Sequence, residues 1–357
     1  MFNHLLNRWI TTIYQASFYS PSIFLLPTTG SIQTAIHLLN FITMTSKVLF
    51  ALLILVMSIS SQACDCGHSG ASERRDLHND SRSPAGLKRI YKGWETPPHK
   101  YPWMAHLRFT VPGTAYFTQC GGFIIDDESI LTAAHCVHQE NGQLHPAENV
   151  EVYLGAHDKD ADKGDRYGVV RIVADENYSV KRELDYDIAI LKLDRKVDLN
   201  HSKKIQKACL PADDTTEFIK LTVAGWGSLD AEGTSTSHLQ EVDVDFIPRD
   251  ICMSYKLSYY EILSKAEKVR LVAPPMHSNH MCALNTDTRG SFCAGDSGGP
   301  LMYQNPDTKR YIVVGIVSGA WNKCGIPLTP GLYTKVANYR NFIREHASGA
   351  CFKSYSE

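Results

Sequence analysis

From Ile90 onward the chain is written in short apolar runs, each soon broken by Gly, Pro, Asp or Asn. Val150–Leu154, Tyr167–Val173, Leu221–Ala224, Val242–Phe246 and Tyr311–Val317 are rich in β-branched residues, and several alternate apolar and polar positions. Side chains of a strand point to opposite faces in turn, so this texture specifies strands rather than helices. Helical spacing is confined mostly to the end, where Val336, Tyr339, Phe342 and Ile343 recur at three and four residues. Many short strands with turn signals between them and few helices imply a β-barrel or β-sandwich. With 357 residues, of which 43% are hydrophobic, the chain has room for one or two domains and a sizeable core. Lys and Arg number 36 against 38 Asp and Glu, a balance that offers no general attraction for nucleic acid or an anionic membrane.

The N-terminal 64 residues hold no acid. Within them Met44-Thr45-Ser46-Lys47 precedes the apolar run Val48–Met57, and Ser61-Gln62-Ala63 follows. One basic residue, a short apolar stretch and a small-x-small ending make a secretory signal pattern, with cleavage expected after Ala63. The run is too short for an ordinary spanning helix, which needs about 20 residues. Residues 44–63 are therefore read as a signal peptide and 1–43 as an artefactual or rarely used extension, against a membrane-tethered alternative. Secretion makes disulfides the default for the ten cysteines. Cys64-Asp65-Cys66-Gly67-His68 is then read as two half-cystines rather than a metal site. The sequons at Asn79, Asn177 and Asn200 fit the same route. Residues 64–89, polar and turn-rich, read as an exposed linker or pro-segment.

Three motifs carry the chemistry: Leu131-Thr132-Ala133-Ala134-His135-Cys136, Asp187-Ile188-Ala189-Ile190-Leu191-Lys192 and Gly295-Asp296-Ser297-Gly298-Gly299-Pro300. Together, and in the order His, Asp, Ser, they resemble the chymotrypsin/trypsin-like serine endopeptidases over Ile90 to about Ala347. The resemblance implies an all-β fold of two six-stranded antiparallel β-barrels with a C-terminal helix, spanning 90–357. It makes Ser297 the nucleophile, His135 the base and Asp187 the group that orients the imidazole. A serine hydroxyl is a feeble nucleophile near neutral pH, which is why a base must take its proton during attack. The Gly295 and Ser297 amides would hold the oxyanion that attack creates. Asp185, two residues before Asp187, is the rival for the orienting role, and the Asp-Ile-Ala pattern favours Asp187.

Lys88-Arg89 before Ile90-Tyr91-Lys92-Gly93 resembles the family's activation junction, although Tyr91 and Lys92 replace the small residues common there. Cleavage at Arg89 would free an Ile90 ammonium to pair with Asp296. The same resemblance implies the disulfides Cys120–Cys136, Cys252–Cys282 and Cys293–Cys324. It also pairs Cys209 with Cys64 or Cys66, leaving the other member and Cys351 free to join each other.

Counting six residues back from Ser297 places Ser291 at the floor of the specificity pocket, where a trypsin-like preference for Lys or Arg would need an acid. Ser318, Gly319 and Ala320 would line the substrate strand and Gly331 the far wall, a set that resembles chymotrypsin-like pockets for large apolar residues. Phe292 beside the floor and Ala320 at the mouth would shorten that pocket. Asp158, Asp160, Asp162 and Asp165 invite calcium, but their spacing misses the calcium-hand pattern and the loop is read as solvated. No metal or other cofactor is expected. The sequence thus reads as a secreted serine endopeptidase zymogen, resembling arthropod proteases. Its expected partners are protein or peptide substrates, an upstream protease cutting after Arg, and protein inhibitors. No nucleic acid and no stable membrane association are expected, and the competing class is an inactive homologue that binds without cutting.

Overall fold

The computed structural model describes residues 64–70 and 93–356, apart from 112, 115, 182, 183, 203, 215–219, 274, 275, 327 and 328. The signal segment, Asn79 and the Arg89–Ile90 junction lie outside the described residues. Cys64–Glu357 forms one compact unit.

Two closed antiparallel barrels make up this unit, and both grow from the short runs seen in the sequence. The first is built from β2 (Met104–Thr110), β3 (Phe117–Ile124), β4 (Ser129–Thr132), β5 (Val150–Leu154), β6 (Asp165–Ala174) and β7 (Ala189–Leu193), in the order β2-β3-β4-β7-β6-β5. The second uses β9 (Lys220–Gly225), β10 (Gln240–Ile247), β11 (His280–Leu284), β12 (Pro300–Gln304), β13 (Tyr311–Gly319) and β14 (Gly331–Lys335), closed by the β12–β13 pairing. Short strands β8 (Cys209–Pro211) and β15 (Cys351–Lys353) extend it in parallel beside β13, and β1 (Trp94–Glu95) pairs with β10. Every expected strand is present. Closure explains the near-continuous burial of β4 and β13, whose inward residues fill a barrel while their outward ones meet the neighbouring layer.

An aromatic cluster ties the two barrels together. Trp103 is fully buried and its indole N–H points at Met302 Sδ at 3.3 Å, while Tyr101 meets Tyr311 edge-on at 5.3 Å. Edge-to-face aromatic pairs contribute about 0.5–1.5 kcal/mol beyond the area they bury. The C-terminal signal resolves into a 3-10 turn at Val336–Tyr339 continued by α3 (Arg340–His346), with Val336, Tyr339 and Ile343 buried as the spacing requires.

Helix is not confined to the C-terminus, however. Besides the single turn α1 (Ala134–Val137), the stretch after Pro248 forms the 19-residue α2 (Arg249–Glu267). Asp250 in its first turn and Lys265 in its last complement the helix dipole, and Lys265 pairs with Glu261 at 2.7 Å. Only Cys252 and Lys256 of α2 are buried. A helix with so narrow an inward face leaves little apolar periodicity in its sequence.

Five disulfides are formed. Cys120–Cys136, Cys252–Cys282 and Cys293–Cys324 match the pairs implied by resemblance. The alternatives left open resolve as Cys66–Cys209 and Cys64–Cys351. Both attach residues 64–70 beside the second barrel, where Gly67 exchanges backbone hydrogen bonds with Lys207 and Tyr311, and Arg310 binds Asp65 and the Cys66 carbonyl.

Candidate active site

His135 sits in the single turn α1, which follows directly from β4 of the first barrel. Its Nδ1 lies 2.8 Å from Asp187 Oδ2, and its backbone N–H donates to Asp187 Oδ1 at 2.7 Å. Asp187, fully buried just before β7, also accepts the Ser318 hydroxyl at 2.5 Å, and its carbonyl accepts Thr334 Oγ1. Residues from both barrels therefore hold one carboxylate. Burial works against the imidazolium of His135, but the charge and hydrogen bond of Asp187 outweigh it and hold the ring's pKa above its ordinary 6.5.

Asp185 is committed elsewhere. It pairs with His277 at 3.1 Å and accepts from Asn279 and the Tyr186 amide. Of the two aspartates the sequence offered, the structure brings Asp187 to the imidazole.

The turn carrying Ser297 is pressed against the same end of the first barrel. Gly121 N donates to the Ser297 carbonyl at 2.7 Å, and Gly298 N donates to Val317 at 2.7 Å. Gly295 and Gly298 have φ of +94° and +79°, a left-handed backbone that glycine adopts without strain. A Cβ on Gly298 would also stand 2.2 Å from Thr132 Oγ1, so the turn approaches the residues preceding His135 as closely as backbone allows. No hydrogen bond joins Ser297 Oγ to the His135 ring here, whose Nε2 lies 3.7 Å from Cys136 Sγ. Such bonds commonly tighten only when substrate binds.

Behind the turn, Asp296 is buried and accepts the Gly227 amide at 2.7 Å and the Cys293 amide at 2.9 Å. Burial dominates these bonds and pushes its pKa up to about 6. Gly225 and Gly227 wrap the carboxylate so tightly that a Cβ on either would overlap it. On the other side, Lys159 Nζ donates to Gln119 Oε1 and to the Trp226 carbonyl, each at 3.1 Å. That fixes the Gln119 amide with its nitrogen toward Gly295, 2.9 Å from where a Cβ would stand. Neither Lys159 nor Gln119 belongs to a local motif, and only the fold brings them here.

Of the residues expected to form a specificity pocket, Phe292 and Gly331 are brought together. Ser291 is buried, and the Phe292 ring lies across Gly331, whose Cβ would come within 2.4 Å of the ring. Tyr333 backs Phe292 edge-on at 5.4 Å and holds it there. Gly319 faces Leu184, which leaves no space for a Cβ, and His280 Nε2 bonds the Leu184 carbonyl at 2.9 Å. Ala320 follows at the end of β13, close to Cys324 in sequence. Leu184 belongs to no local motif.

Asn177 and Asn200 both lie at exposed turns. Asp158, Asp160, Asp162 and Asp165 do not gather into a group of three among the described residues, and Asp158 instead caps its own turn through the Asp160 and Ala161 amides. No helix of the described residues is long and apolar enough to cross a membrane.

The family model for trypsin matches residues 90–343. Clotting factor G beta subunit of Tachypleus tridentatus is 32% identical over 276 residues, covering 76% of this chain and 84% of that protein. The proclotting enzyme of the same species is 31% identical over 76% of this chain and 68% of its own length. Serine protease grass of Drosophila melanogaster is 31% identical, with 72% and 67% covered. The barrels, the Asp187-centred site and these likenesses agree: the chain belongs to the trypsin family of serine proteases.

Proposed function

We propose that this chain is a secreted zymogen of a serine endopeptidase, activated by cleavage after Arg89, that hydrolyses peptide bonds through an acyl-enzyme. The observation that carries the reading is the line Ser318–Asp187–His135 beside the Gly295–Gly299 turn. Ser297 Oγ attacks the scissile carbonyl while His135 Nε2 takes its proton. The forming imidazolium is stabilised by Asp187, in keeping with the raised pKa of the ring. The negative oxygen is received by the Gly295 and Ser297 amides, a donor pair in which one N–H contributes about 2.7–4 kcal/mol to the transition state. His135 then protonates the leaving amine, and water repeats the sequence on the ester.

Cleavage at Arg89 supplies the Ile90 ammonium that Asp296 lacks among the described residues, completing the turn from behind. An upstream protease cutting after Arg is the implied activator. The clotting relatives support a place in a proteolytic cascade with protein substrates and protein inhibitors. The acyl-side pocket takes apolar side chains, because Ser291 offers no charge to a cation. Phe292 against Gly331 limits its depth, favouring Leu and Met over Tyr and Trp.

Purified zymogen cleaved at Arg89 and profiled on a peptide library tests this reading. Cuts after apolar residues, absent in Ser297→Ala and blocked by a serine-directed phosphonate, are the expected result. A correctly cleaved protein that neither cuts peptides nor reacts with the phosphonate is instead a binding homologue.

A further inference from the structure

Away from the catalytic line, three residues scattered through the sequence meet at the surface. Glu95, His157 and His238 each place one ligand atom within 4.8 Å of the others. His157 Nε2 lies 3.3 Å from Glu95 Oε1, and the His157 and His238 rings stand edge to face at 5.5 Å. Backbone pairing, not chance rotamers, sets this meeting. Strand β1 carries Glu95 opposite Gln240 of β10, two residues past His238. The amide of Leu239 donates to the His157 carbonyl, and Asp158 forms a β-bridge with His238. Three backbone segments are thus knitted before any side chain is considered.

The rings are already held by oxygen partners, His238 Nδ1 lying 3.1 Å from Ser237 Oγ. The His157 side chain is only 12% exposed, yet its Nδ1 is buried without a hydrogen-bond partner. The ring's Nε2 already faces a carboxylate. His238 keeps Asp158 Oδ2 3.6 Å from its Nε2, the kind of carboxylate that orients a metal-bound imidazole from outside or joins it as a further ligand. Donors at about 2.0–2.2 Å from a tetrahedral ion stand roughly 3.4 Å apart. The Glu95–His157 separation already meets that, and the other separations, all within 4.8 Å, require a shift of the more exposed side chains on binding.

We propose that Glu95, His157 and His238 bind a zinc ion, with water completing the shell. Two imidazoles and one carboxylate suit zinc, whereas calcium and magnesium take oxygen ligands. The ion staples β1, five residues beyond Ile90, to the loop of His157 and the segment before β10. Two residues past His157, Lys159 holds Gln119 against Gly295, so the staple braces the oxyanion side of the site without touching it. The sequence carries no signal for it, because the ligands lie 62 and 81 residues apart and belong to no motif.

The test is zinc binding by the full chain carrying Ser297→Ala, stripped with chelator and titrated with the metal alone by calorimetry. One zinc per chain is expected, with at least tenfold weaker binding in Glu95→Gln, His157→Gln and His238→Gln. Zinc should also raise the melting temperature of the parent and not of the variants, and cobalt should give the intense visible absorption of a tetrahedral site only in the parent. The exposed, isosteric Glu95→Gln guards against loss of fold in the histidine variants. Equal zinc affinity across parent and variants would place the metal elsewhere, at His135 for instance, and overturn the proposal. So would no binding below millimolar zinc. Neither outcome depends on catalysis, so failure here leaves the peptidase reading to its own test.

Discussion

Asp187 decides what His135 can do. Against burial, its charge and hydrogen bond raise the ring's pKa above 6.5, so in the proposed mechanism the neutral base is lost at a higher pH than for a free imidazole. The acid limb of kcat/KM in the cleaved enzyme is therefore expected to lie above pH 6.5. Asp187→Asn should lower kcat about 10⁴-fold, since it removes both charge and tautomer control. A normal rate in that variant would show that Asp185 or another group does the work. The pocket makes a second case. Phe292 lies over Gly331, so Phe292→Ser should raise the ratio of kcat/KM for Trp over Leu substrates by ten-fold or more, read on matched peptides. An unchanged ratio would mean that Ala320, not Phe292, sets the depth. The meeting of His135 and Asp187 was legible in the sequence because each sits in a contiguous motif, as Ser297 also does. Leu184, Lys159 and Gln119 were not, because their contacts with the site are made wholly across the fold.

At the scale of elements, strands were legible and one helix was not, for a physical reason. A strand in a closed barrel buries alternate or successive residues, and its sequence must say so, as Tyr311–Val317 does. Helix α2 buries only Cys252 and Lys256, and Ile251, Leu257 and Ile262 are exposed, so its apolar residues mark no single face. What holds it is the Cys252–Cys282 bond and the contacts of Met253 and Tyr255 with the small cluster around Met276 and Leu332. Replacing both cysteines by alanine should cost about 2–5 kcal/mol by chemical denaturation. Leu257→Lys, on the exposed face, should change stability by no more than about 0.5 kcal/mol. If Leu257→Lys proved as damaging as loss of the disulfide, α2 would be packed against something these contacts do not include.

At the scale of the whole molecule, the proposed activation links a cut after Arg89 to the buried carboxylate of Asp296. In the uncleaved chain the buried Asp296 has its pKa raised from 3.8 to about 6, chiefly by burial, with Lys159 offering partial relief. A raised carboxyl pKa means that the folded state holds this proton more tightly than the unfolded chain. Stability is thus penalised as pH rises from about 4 to 6, by an amount on the order of 3 kcal/mol that is fully present above pH 6. On the activation proposed above, cleavage after Arg89 would reverse the sign by giving the carboxylate an ammonium partner. Melting temperatures of an Arg89→Gln zymogen should fall over that pH range by a component that Asp296→Asn removes, while the cleaved enzyme should lack it. Matching pH profiles for the two forms would break the link between the cut and Asp296. A segment cut after Arg89 would stay attached, because Cys66–Cys209 and Cys64–Cys351 each tie the stretch before the junction to the rest of the chain. Either bond alone suffices for attachment. On non-reducing gels the cleaved protein should therefore run as one species in Cys351→Ser or Cys209→Ser, and shed the segment only when both bonds are removed. Release from either single variant would mean that the remaining bond is not formed, and that the segment is carried by one anchor instead of two.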